Sequence, residues 1–566
     1  MDENRNTANA ATDKGLYEEL VRYCAADHYP YHMPGHKRRP DAGPMAQYYG
    51  IDITEIDGFD NLHHAEGILQ AAQQRANRLY GSAETETFYL INGSTCGVLA
   101  AVMTAAARGA EILIARNCHK SVYHAAILQE LNLHYYEPPI LEEYGTCGGV
   151  DAGEIDRLLQ QYPDCTAVVI TSPTYEGILS DVKAVADVVH GRDKILIVDE
   201  AHGAHLGLHE SVPAGALAQG ADLVIHSLHK TLPAMTQTAL LHVQGERIDR
   251  GRLRSYLAML QSSSPSYVLM ASMDSCIRYL ERHGAERYLF MQRQYELFCK
   301  RMEKCRYIVI GNLAGKSGAK QGSCIAGWDI GKLVISVKDR KLSGQCLYDL
   351  LRDEYHLQME MAAECYVLAI MTVMDGQEGW QRLADALEQI DDRIERGTIT
   401  VREAAEPECD RPGRRQREAA EEEAQRKRQE PGAGDQQRDY DRADRNMTIA
   451  QETGAGGQQR DHDRAGRNMT IAQETGAGDQ QRDHDCAERS MTIAQASLGP
   501  REEVPAVDAV GRTAADFINL YPPGIPLVVP GEVISDALPG QLQKYGRMGL
   551  QLQGVTADGK ICVTSI

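Results

Sequence analysis

Residues 195–203 read Ile-Leu-Ile-Val-Asp-Glu-Ala-His-Gly, so a run of four apolar residues ends on an acid. Such a short apolar run is typical of a strand that is buried on both faces of a parallel sheet. Similar runs occupy residues 111–115, 167–170 and 222–225. Amphipathic stretches, including 153–161 and 182–189, lie between them. The alternation predicts an α/β fold with a mostly parallel sheet covered by helices.

Two charged residues follow these runs at the predicted carboxyl ends of strands, where ligands of such sheets bind. Asp199 ends the run 195–198, and an acid in this position caps a helix, binds a metal or pairs with a cation. Lys230 closes the segment 225–230, which reads Ile-His-Ser-Leu-His-Lys. Most lysines are simply solvated, but a lysine at a strand end among Ser and His can also form a Schiff base with a carbonyl cofactor.

Two further signals come earlier in the chain. Gly93, Ser94 and Thr95 stand between an apolar run and a small-residue helical pattern over 98–107. Backbone N–H groups, two hydroxyls and the helix dipole together favour a phosphate, although the same residues also make an ordinary helix cap. His119 follows the run 111–115, where it can lie flat on an aromatic ring, although a lone histidine is more often structural.

Each of these signals is modest alone, but together they match one cofactor. Pyridoxal phosphate needs a lysine for its carbonyl carbon, an acid at its ring nitrogen, a phosphate site and a surface against its ring. Lys230, Asp199, Ser94 with Thr95, and His119 supply these four groups at successive strand ends. The combination predicts pyridoxal 5'-phosphate as the cofactor.

The composition limits the other functions. The 566 residues carry 59 Lys and Arg against 80 Asp and Glu, a net charge of −21 that argues against nucleic-acid or anionic-membrane partners. Fourteen cysteines form no C-x-x-C pair and no zinc spacing, which predicts reduced thiols and no metal site. The polar start of the chain is followed by no apolar signal core, so we expect a cytoplasmic protein without a membrane span.

Residues 402–500 differ from the rest of the chain. A 22-residue unit occurs there three times, with Gly-Ala-Gly beginning at 432, 454 and 476 and Met-Thr-Ile-Ala-Gln beginning at 447, 469 and 491. The units are rich in Gly, Gln, Arg and Asp, which predicts a solvated insert that is disordered or weakly helical. A repeat solenoid is the alternative, but each unit has little apolar surface with which to stack on its neighbour.

Over residues 15–400 and 505–566 the chain resembles the fold-type I, pyridoxal-phosphate-dependent decarboxylases of ornithine, lysine and arginine. The stretches that carry the resemblance are His32-Met-Pro-Gly-His-Lys37, Asp52-Ile-Thr-Glu-Ile-Asp57, Asn92-Gly-Ser-Thr95, Arg116-Asn-Cys-His-Lys120, Thr171-Ser-Pro-Thr-Tyr-Glu-Gly177, Asp199-Glu-Ala-His-Gly203, Ser227-Leu-His-Lys230, Ser263-Ser-Pro-Ser-Tyr267, Tyr521-Pro-Pro-Gly-Ile-Pro526 and Pro530-Gly-Glu532. Val98 departs from the family, which commonly has Asn at this point.

The resemblance implies four groups of functional residues. The covalent partner of the cofactor and the acid at its ring nitrogen are Lys230 and Asp199. The residues at its phosphate are Ser94, Thr95, Ser227 and His229, with Ser263 and Ser264 reaching the phosphate of a neighbouring subunit. The residues around its ring are His119, which stacks on it, and His202, which shapes the pocket. The candidates for substrate recognition are His32, His36, Lys37 and Glu532.

The resemblance also implies an activity and an organisation. We expect decarboxylation of arginine, lysine or ornithine to an amine and CO₂, feeding polyamine synthesis, in a homo-oligomer that is at least a dimer. The expected segments are an N-terminal arm over 1–75, a cofactor-binding large domain over 76–300, the first part of a smaller α+β domain over 301–401, the insert over 402–500 and a C-terminal segment over 501–566.

Two alternatives remain open on the sequence. Another enzyme of the same fold, an aminotransferase or a carbon–sulfur lyase, would keep Lys230 and Asp199. An aminotransferase normally binds the substrate carboxylate with a late arginine, and Arg352 and Arg382 are available. The other alternative is an inactive relative that regulates a decarboxylase or acts as a scaffold through its repeats.

Overall fold

The structure, a computed structural model, describes residues 15–81, 84–141, 144–311, 324–338, 342–399, 491–521 and 525–565. Its α-helices are α1 Leu16–Ala25, α2 Ile68–Tyr80, α3 Gly93–Ala105, α4 Lys120–Leu128, α5 Ala152–Gln161, α6 Val182–Gly191, α7 Leu228–Thr231, α8 Arg250–Leu260, α9 Tyr267–Met302, α10 Gly344–Asp353, α11 Gln377–Glu395, α12 Ile493–Leu498 and α13 Leu538–Arg547. Its strands are β1 Thr85–Leu90, β2 Glu111–Ala115, β3 Asn132–Tyr136, β4 Ile140–Leu141, β5 Thr146–Cys147, β6 Cys165–Thr171, β7 Ile178–Leu179, β8 Ile195–Asp199, β9 Leu223–Ser227, β10 Ala239–Gln244, β11 Ile308–Ile310, β12 Gly327–Trp328, β13 Lys332–Val337, β14 Met361–Ala362, β15 Tyr366–Ile370, β16 Arg501–Pro505, β17 Ile518–Tyr521, β18 Ile525–Val528, β19 Gln551–Gln553 and β20 Lys560–Thr564.

The main sheet has seven strands in the order β1-β10-β9-β8-β6-β2-β3. Strands β3, β2, β6, β8 and β9 run parallel to one another, whereas β10 pairs antiparallel with both β9 and β1. The four apolar runs of the sequence are β2, β6, β8 and β9, and their interiors are fully buried. The predicted α/β fold with a mostly parallel sheet is therefore confirmed.

Helix α3 begins earlier than the sequence pattern indicates. The prediction treated residues 93–95 as a turn before a helix over 98–107, but the helix begins at Gly93 and ends at Ala105. Gly93 has a φ of 75°, which favours glycine, and the N-cap Asn92 makes no side-chain hydrogen bond to the helix. Ser94 and Thr95 therefore lie in the first turn, where backbone N–H groups have no partner within the helix.

A second, antiparallel sheet has the order β11-β13-β15-β14 and shares a core with α9 and α11. The predicted segment boundaries at 75 and 300 both fall inside continuous helices, α2 and α9. Helix α1 also joins this part of the fold, because the Leu16 backbone N–H donates to the Asp274 carboxylate of α9 at 2.9 Å. Among the described residues, no helix has both the length and the apolar character that crossing a bilayer requires.

The C-terminal strands form a two-stranded sheet, β16-β20, and a three-stranded sheet, β18-β17-β19, around a small apolar core with α13. The predicted insert extends too far toward this part of the chain, because residues 491–500 include helix α12. Thr492 caps this helix through a capping box, and Ile493 is 1% exposed and packs into the core of the main sheet. The first two copies of Met-Thr-Ile-Ala-Gln lie outside the described residues, so their predicted solvation stays a prediction.

Candidate active site

A cavity of about 540 Å³ opens beyond the carboxyl ends of the parallel strands. This volume lies in the range of small-molecule and cofactor sites. Predicted site residues from four separate stretches of the chain line it: Ser94, Thr95, His119, Asp199, His202, His229 and Lys230. Strands β2, β8 and β9 and the first turn of α3 deliver these side chains, so the topology of the sheet brings the residues together.

Lys230 lies in the short helix α7, directly after β9. Its Nζ is 3.1 Å from Nε2 of His202. Burial lowers the pKa of Lys230 below its ordinary value, while the nearby carboxylates of Asp199 and Glu360 oppose this shift. A lowered pKa raises the fraction of neutral amine, which is the form that attacks a carbonyl carbon.

Asp199 is the last residue of β8 and is 5% exposed. Its Oδ1 accepts a hydrogen bond from the Ala201 backbone N–H at 3.1 Å. Within the described part of the chain, no salt bridge pairs this carboxylate with a Lys, Arg or His side chain. A buried carboxylate is normally paired, so a cationic ring nitrogen in the cavity would satisfy it.

His119 is the N-cap of α4, and its Nδ1 accepts from the Ser121 backbone N–H at 3.2 Å. Burial lowers the pKa of His119, with Lys230 adding to the shift and Asp199 opposing it. The ring is therefore held neutral and in a fixed orientation at the edge of the cavity. A neutral, fixed imidazole face suits stacking on an aromatic ring.

Two buried polar atoms near this cavity have no hydrogen-bond partner among the described residues, the Asn117 Oδ1 and the Ser227 Oγ. Asn117 lines the cavity, and Ser227 is fully buried at the end of β9. Unsatisfied buried polar atoms are rare and point to a missing partner such as a ligand. Together with the open N-terminus of α3 and the unpaired Asp199, they make the residues of this cavity a good fit to pyridoxal phosphate.

The structure adds residues that the sequence did not single out. Glu176 and Glu360 both line the cavity; Glu176 accepts from the Tyr366 hydroxyl at 2.9 Å, and Glu360 accepts from the Tyr175 hydroxyl. Lys332, at the start of β13, places its Nζ 3.1 Å from Nδ1 of His202. The sequence feature that could have identified Lys332 is its position directly before the apolar run 333–335, whereas no feature of the sequence indicates Glu360.

Several predicted site residues do not line the cavity. Ser263 and Ser264 lie on an exposed loop, and their role toward a neighbouring subunit stays a prediction. The candidates for substrate recognition bond elsewhere: His32 to the Tyr23 hydroxyl, His36 to Asp52 and Lys37 to the His32 carbonyl oxygen. Glu532 is buried in an ion pair with Arg116, with Oε2 3.1 Å from a guanidinium nitrogen.

No arginine lines the cavity among the residues that the structure describes. Arg352 is 42% exposed and pairs with Asp353, and Arg382 is 51% exposed beside Glu378. Neither side chain is placed to bind a substrate carboxylate in this cavity. His229 does line it, and its Nδ1 bonds to the Thr238 carbonyl oxygen at 3.0 Å.

The family model of the major domain of Orn/Lys/Arg decarboxylases matches residues 14–308, and the model of the C-terminal domain of that family matches residues 484–552. The chain belongs to this family. It is 27% identical over 550 residues to an arginine decarboxylase of Bacillus subtilis, and the match covers 95% of each chain. A second Bacillus subtilis relative, the protein YaaO, is 36% identical over 388 residues, which are 67% of this chain and 78% of the relative.

A solved structure supports the fold of this family member. The crystal structure of a lysine decarboxylase of Francisella novicida matches with a TM-score of 0.72 at 18% identity, over 99% of this chain and 82% of the other. A lysine decarboxylase of Pseudomonas aeruginosa matches with a TM-score of 0.71, also at 18% identity, over 99% and 81%. At this identity the likeness shows the architecture. The family itself implies pyridoxal phosphate, in agreement with the cavity.

Proposed function

We propose that this chain is a decarboxylase that converts a basic α-amino acid to the corresponding amine and CO₂ with pyridoxal phosphate. One observation carries the proposal: Lys230, Asp199, His119 and the N-terminus of α3 line a single cavity that also holds the acids Glu176 and Glu360. The first set suits the cofactor, and the two acids suit the distal cationic group of arginine, lysine or ornithine. Family membership supports the same reaction class.

The residues of the cavity divide the work of holding the cofactor. Lys230 would bind its carbonyl carbon covalently, and the neutral amine that burial favours is the form required. Asp199 would hold a proton at the ring nitrogen, His119 would pack against the ring, and the first turn of α3 would bind the phosphate. When bound, pyridoxal phosphate supplies an electron sink for the pair released by cleavage of the Cα–carboxylate bond.

The acids Glu176 and Glu360 give the cavity its preference for a cationic substrate. Glu176 is 7% exposed and fixed by Tyr366, whereas Glu360 stands at the exposed side, bonded to Tyr175. A cation that enters the cavity would be attracted by both carboxylates. An aminotransferase must retain the substrate carboxylate and normally binds it with an arginine. No arginine is among the described residues that line the cavity, which favours a reaction in which the carboxylate is lost.

The proposal extends to the assembly. The exposed loop of Ser263 and Ser264 lies near Asn92, the cap of α3, because the Ser262 backbone N–H donates to Asn92 Oδ1 at 3.5 Å. The resemblance of this stretch to the family motif implies that Ser263 and Ser264 reach the phosphate site of a second copy of the chain. We therefore propose a homo-oligomer, at least a dimer, whose subunits complete one another's phosphate sites.

The test is a turnover assay of the purified full chain with pyridoxal phosphate and carboxyl-labelled arginine, lysine or ornithine. We expect labelled CO₂ and the matching amine from one of the three. Lys230→Ala should lose at least about a thousandfold in turnover, because the residue that activates the cofactor is gone. Lys183→Ala, which alters an exposed pair with Asp187, is the matched control and should keep its rate.

Two outcomes of this assay would contradict the proposal. Release of CO₂ by Lys230→Ala at the normal rate would remove Lys230 from the reaction. Formation of a keto acid without CO₂ from the wild-type protein would identify an aminotransferase instead.

A further inference from the structure

Lys332 is a buried cation that the proposed function does not use. It is the first residue of β13, and its side chain is 0% exposed. Among the described residues, the hydrogen-bond partner of its Nζ is Nδ1 of His202, at 3.1 Å, and no carboxylate forms a salt bridge with it. Because burying an ammonium is costly, this environment lowers the pKa of Lys332 below its ordinary value.

The fold makes room for this lysine. Gly177 has a φ of 91°, and a Cβ built on it would lie 2.6 Å from Cβ of Lys332. The Gly177 carbonyl oxygen accepts from the Asp329 backbone N–H at 2.8 Å, which holds the turn against the start of β13. A side chain at 177 would push Lys332 away from His202, so the position of the amine depends on this glycine.

His202 connects Lys332 to the active-site lysine, with Nδ1 facing Lys332 and Nε2 facing Lys230, both at 3.1 Å. Burial, and then the charges of Lys332 and Lys230, lower the pKa of His202 well below its ordinary value, so its ring is neutral. A neutral imidazole has one N–H and one lone pair. When both hydrogen bonds form, the amine that faces the N–H must be neutral, and the other amine donates.

We propose that Lys332 is a positioning residue that exchanges a proton with Lys230 through His202 and so keeps Lys230 neutral when it binds a carbonyl carbon. In the transfer, ammonium Lys230 gives a proton to Nε2 of His202 while Nδ1 gives its proton to the neutral amine of Lys332. Lys230 ends neutral, Lys332 ends protonated, and the imidazole is neutral before and after. The proposal rests on the proposed function, because it assumes that Lys230 binds pyridoxal phosphate.

Other groups set the balance between the two amines. Asp199 raises the pKa of Lys230, and Asp329 opposes the effect of burial, which lowers the pKa of Lys332 to about 8. The charged and titratable groups that face the three residues from the surrounding elements are Asp199, His119, His229, Glu176, Glu360 and Asp329. A cation at Lys332 near neutral pH therefore disfavours a second proton on Lys230.

The test measures how fast the cofactor-free full chain binds added pyridoxal phosphate, as a function of pH, from the absorbance of the bound cofactor. The rate follows the neutral fraction of Lys230, so its pH midpoint reports the pKa of that amine without any turnover. Lys332→Met should raise the midpoint by about one to two pH units, because Lys230 loses both a repelling cation and a proton acceptor. Lys338→Met, just beyond the other end of β13, is the matched control and should leave the midpoint unchanged.

A second background tests the path through His202. In His202→Leu, adding Lys332→Met should shift the midpoint by less than half as much as it does in the wild type, because the hydrogen-bonded connection is gone. An equal shift in both backgrounds would show that Lys332 acts only through space and would overturn the proposal. An unchanged midpoint in Lys332→Met would overturn it as well.

Two other causes of a negative result, a variant that does not fold and a wrong proposed function, can each be recognised. If Lys332→Met loses the native circular dichroism spectrum, Lys332→Gln, which keeps a polar end, carries the same prediction. If the wild-type chain itself does not bind pyridoxal phosphate at Lys230, the proposed function fails and not the proton exchange alone.

Discussion

Two buried polar networks lie side by side in this molecule. The cavity network consists of Lys230, His202 and Lys332. The closed network consists of Thr87, His242, His226 and Glu200, all 4% exposed or less, and it crosses β1, β10 and β9 to the end of β8. Both use histidines as connectors, yet their proton donors and acceptors balance differently.

The closed network is complete with neutral histidines. The Thr87 hydroxyl lies 3.1 Å from Asn77 Oδ1 and 2.8 Å from Nδ1 of His242. When it donates to His242, Nε2 of His242 donates to Nδ1 of His226 at 3.1 Å, and Nε2 of His226 donates to Glu200 at 2.8 Å. Glu200 also accepts from the Ala216 backbone N–H at 2.9 Å. Every ring nitrogen has a partner and the acid ends the series, so this network stabilises the fold.

In the cavity network both amines bond to one imidazole, and among the described residues no carboxylate is hydrogen-bonded to either amine. Its hydrogen bonds are complete only when one amine is neutral, so the network exists in two proton arrangements of similar structure. Its Lys230 end also reaches the cavity, whereas the closed network does not line it. Burial and hydrogen bonding are therefore common to both kinds of network. A functional network is indicated instead by a cavity beside it and by more proton-carrying groups than its hydrogen bonds can satisfy in one protonation state.

The largest expected difference between the networks is in stability. Glu200→Ala should lower the free energy of unfolding by about 3 to 5 kcal/mol, because a buried histidine and a backbone N–H lose their acceptor. Lys332→Met should leave it unchanged or raise it, since an apolar chain of similar length replaces a buried amine that is hydrogen-bonded to a histidine and forms no salt bridge among the described residues. Urea unfolding followed by circular dichroism measures both changes.

The exposed Glu210→Ala is the control for the loss of a carboxylate and should stay within about 0.5 kcal/mol of the wild type. A large loss of stability in Lys332→Met, equal to that of Glu200→Ala, would erase the distinction between the networks.

A smaller effect is expected at the glycine that supports the cavity network. Gly177→Ala should cost about 3 kcal/mol, of which about 1 comes from its positive φ and the rest from contact with Lys332. Gly109 has a φ of 77° with open space around it, so Gly109→Ala isolates the backbone cost of about 1 kcal/mol. Gly177→Ala should in addition raise the pH midpoint of cofactor binding, which Gly109→Ala should not. If the two variants lose the same free energy of unfolding and bind the cofactor with the same pH midpoint, the position of Lys332 does not depend on the turn at Gly177.

Part of the fold and part of the candidate site of this protein were predictable from the sequence. Strands β2, β6, β8 and β9 were predictable because each is a short apolar run, and Asp199 and Lys230 were predictable because they follow such runs. Lys332 and Glu360 come from the second sheet, and their approach to His202 and to the cavity depends on how the two sheets pack. No local pattern encodes that packing, so these residues appear only in three dimensions.

Some predicted residues lie away from the cavity for a similar reason. Glu532 is a candidate for substrate recognition from its motif, and the motif does not reveal that its carboxylate forms an ion pair with Arg116. The end of the insert was placed at residue 500 because the repeat continues to Met491. The third copy of Met-Thr-Ile-Ala-Gln nevertheless belongs to the folded part of the chain, because the residues after Gln495 continue α12 and the buried Ile493 anchors this helix on the core.

The smallest expected effect is a loss of stability in weak acid that both networks share. Burial is the main cause that lowers the pKa of His202 and of His242 well below the ordinary 6.5. As the pH falls below 6.5, the unfolded chain binds protons at these positions before the folded chain does, so stability is present above this pH and is lost below it. Each histidine contributes up to about 1.4 kcal/mol per pH unit.

Urea unfolding at pH 7 and pH 5.5 therefore assigns the loss to the networks. The wild type should lose unfolding free energy between pH 7 and pH 5.5. We expect this loss to be smaller by about 1 kcal/mol in His242→Gln, which removes one histidine of the closed network, and by about 1 kcal/mol in His202→Leu, which removes that of the cavity network. Only His202→Leu should also move the pH midpoint of cofactor binding, because the closed network ends in its own acid. A shift of that midpoint in His242→Gln would mean that protons pass between the two networks and that they are not separate.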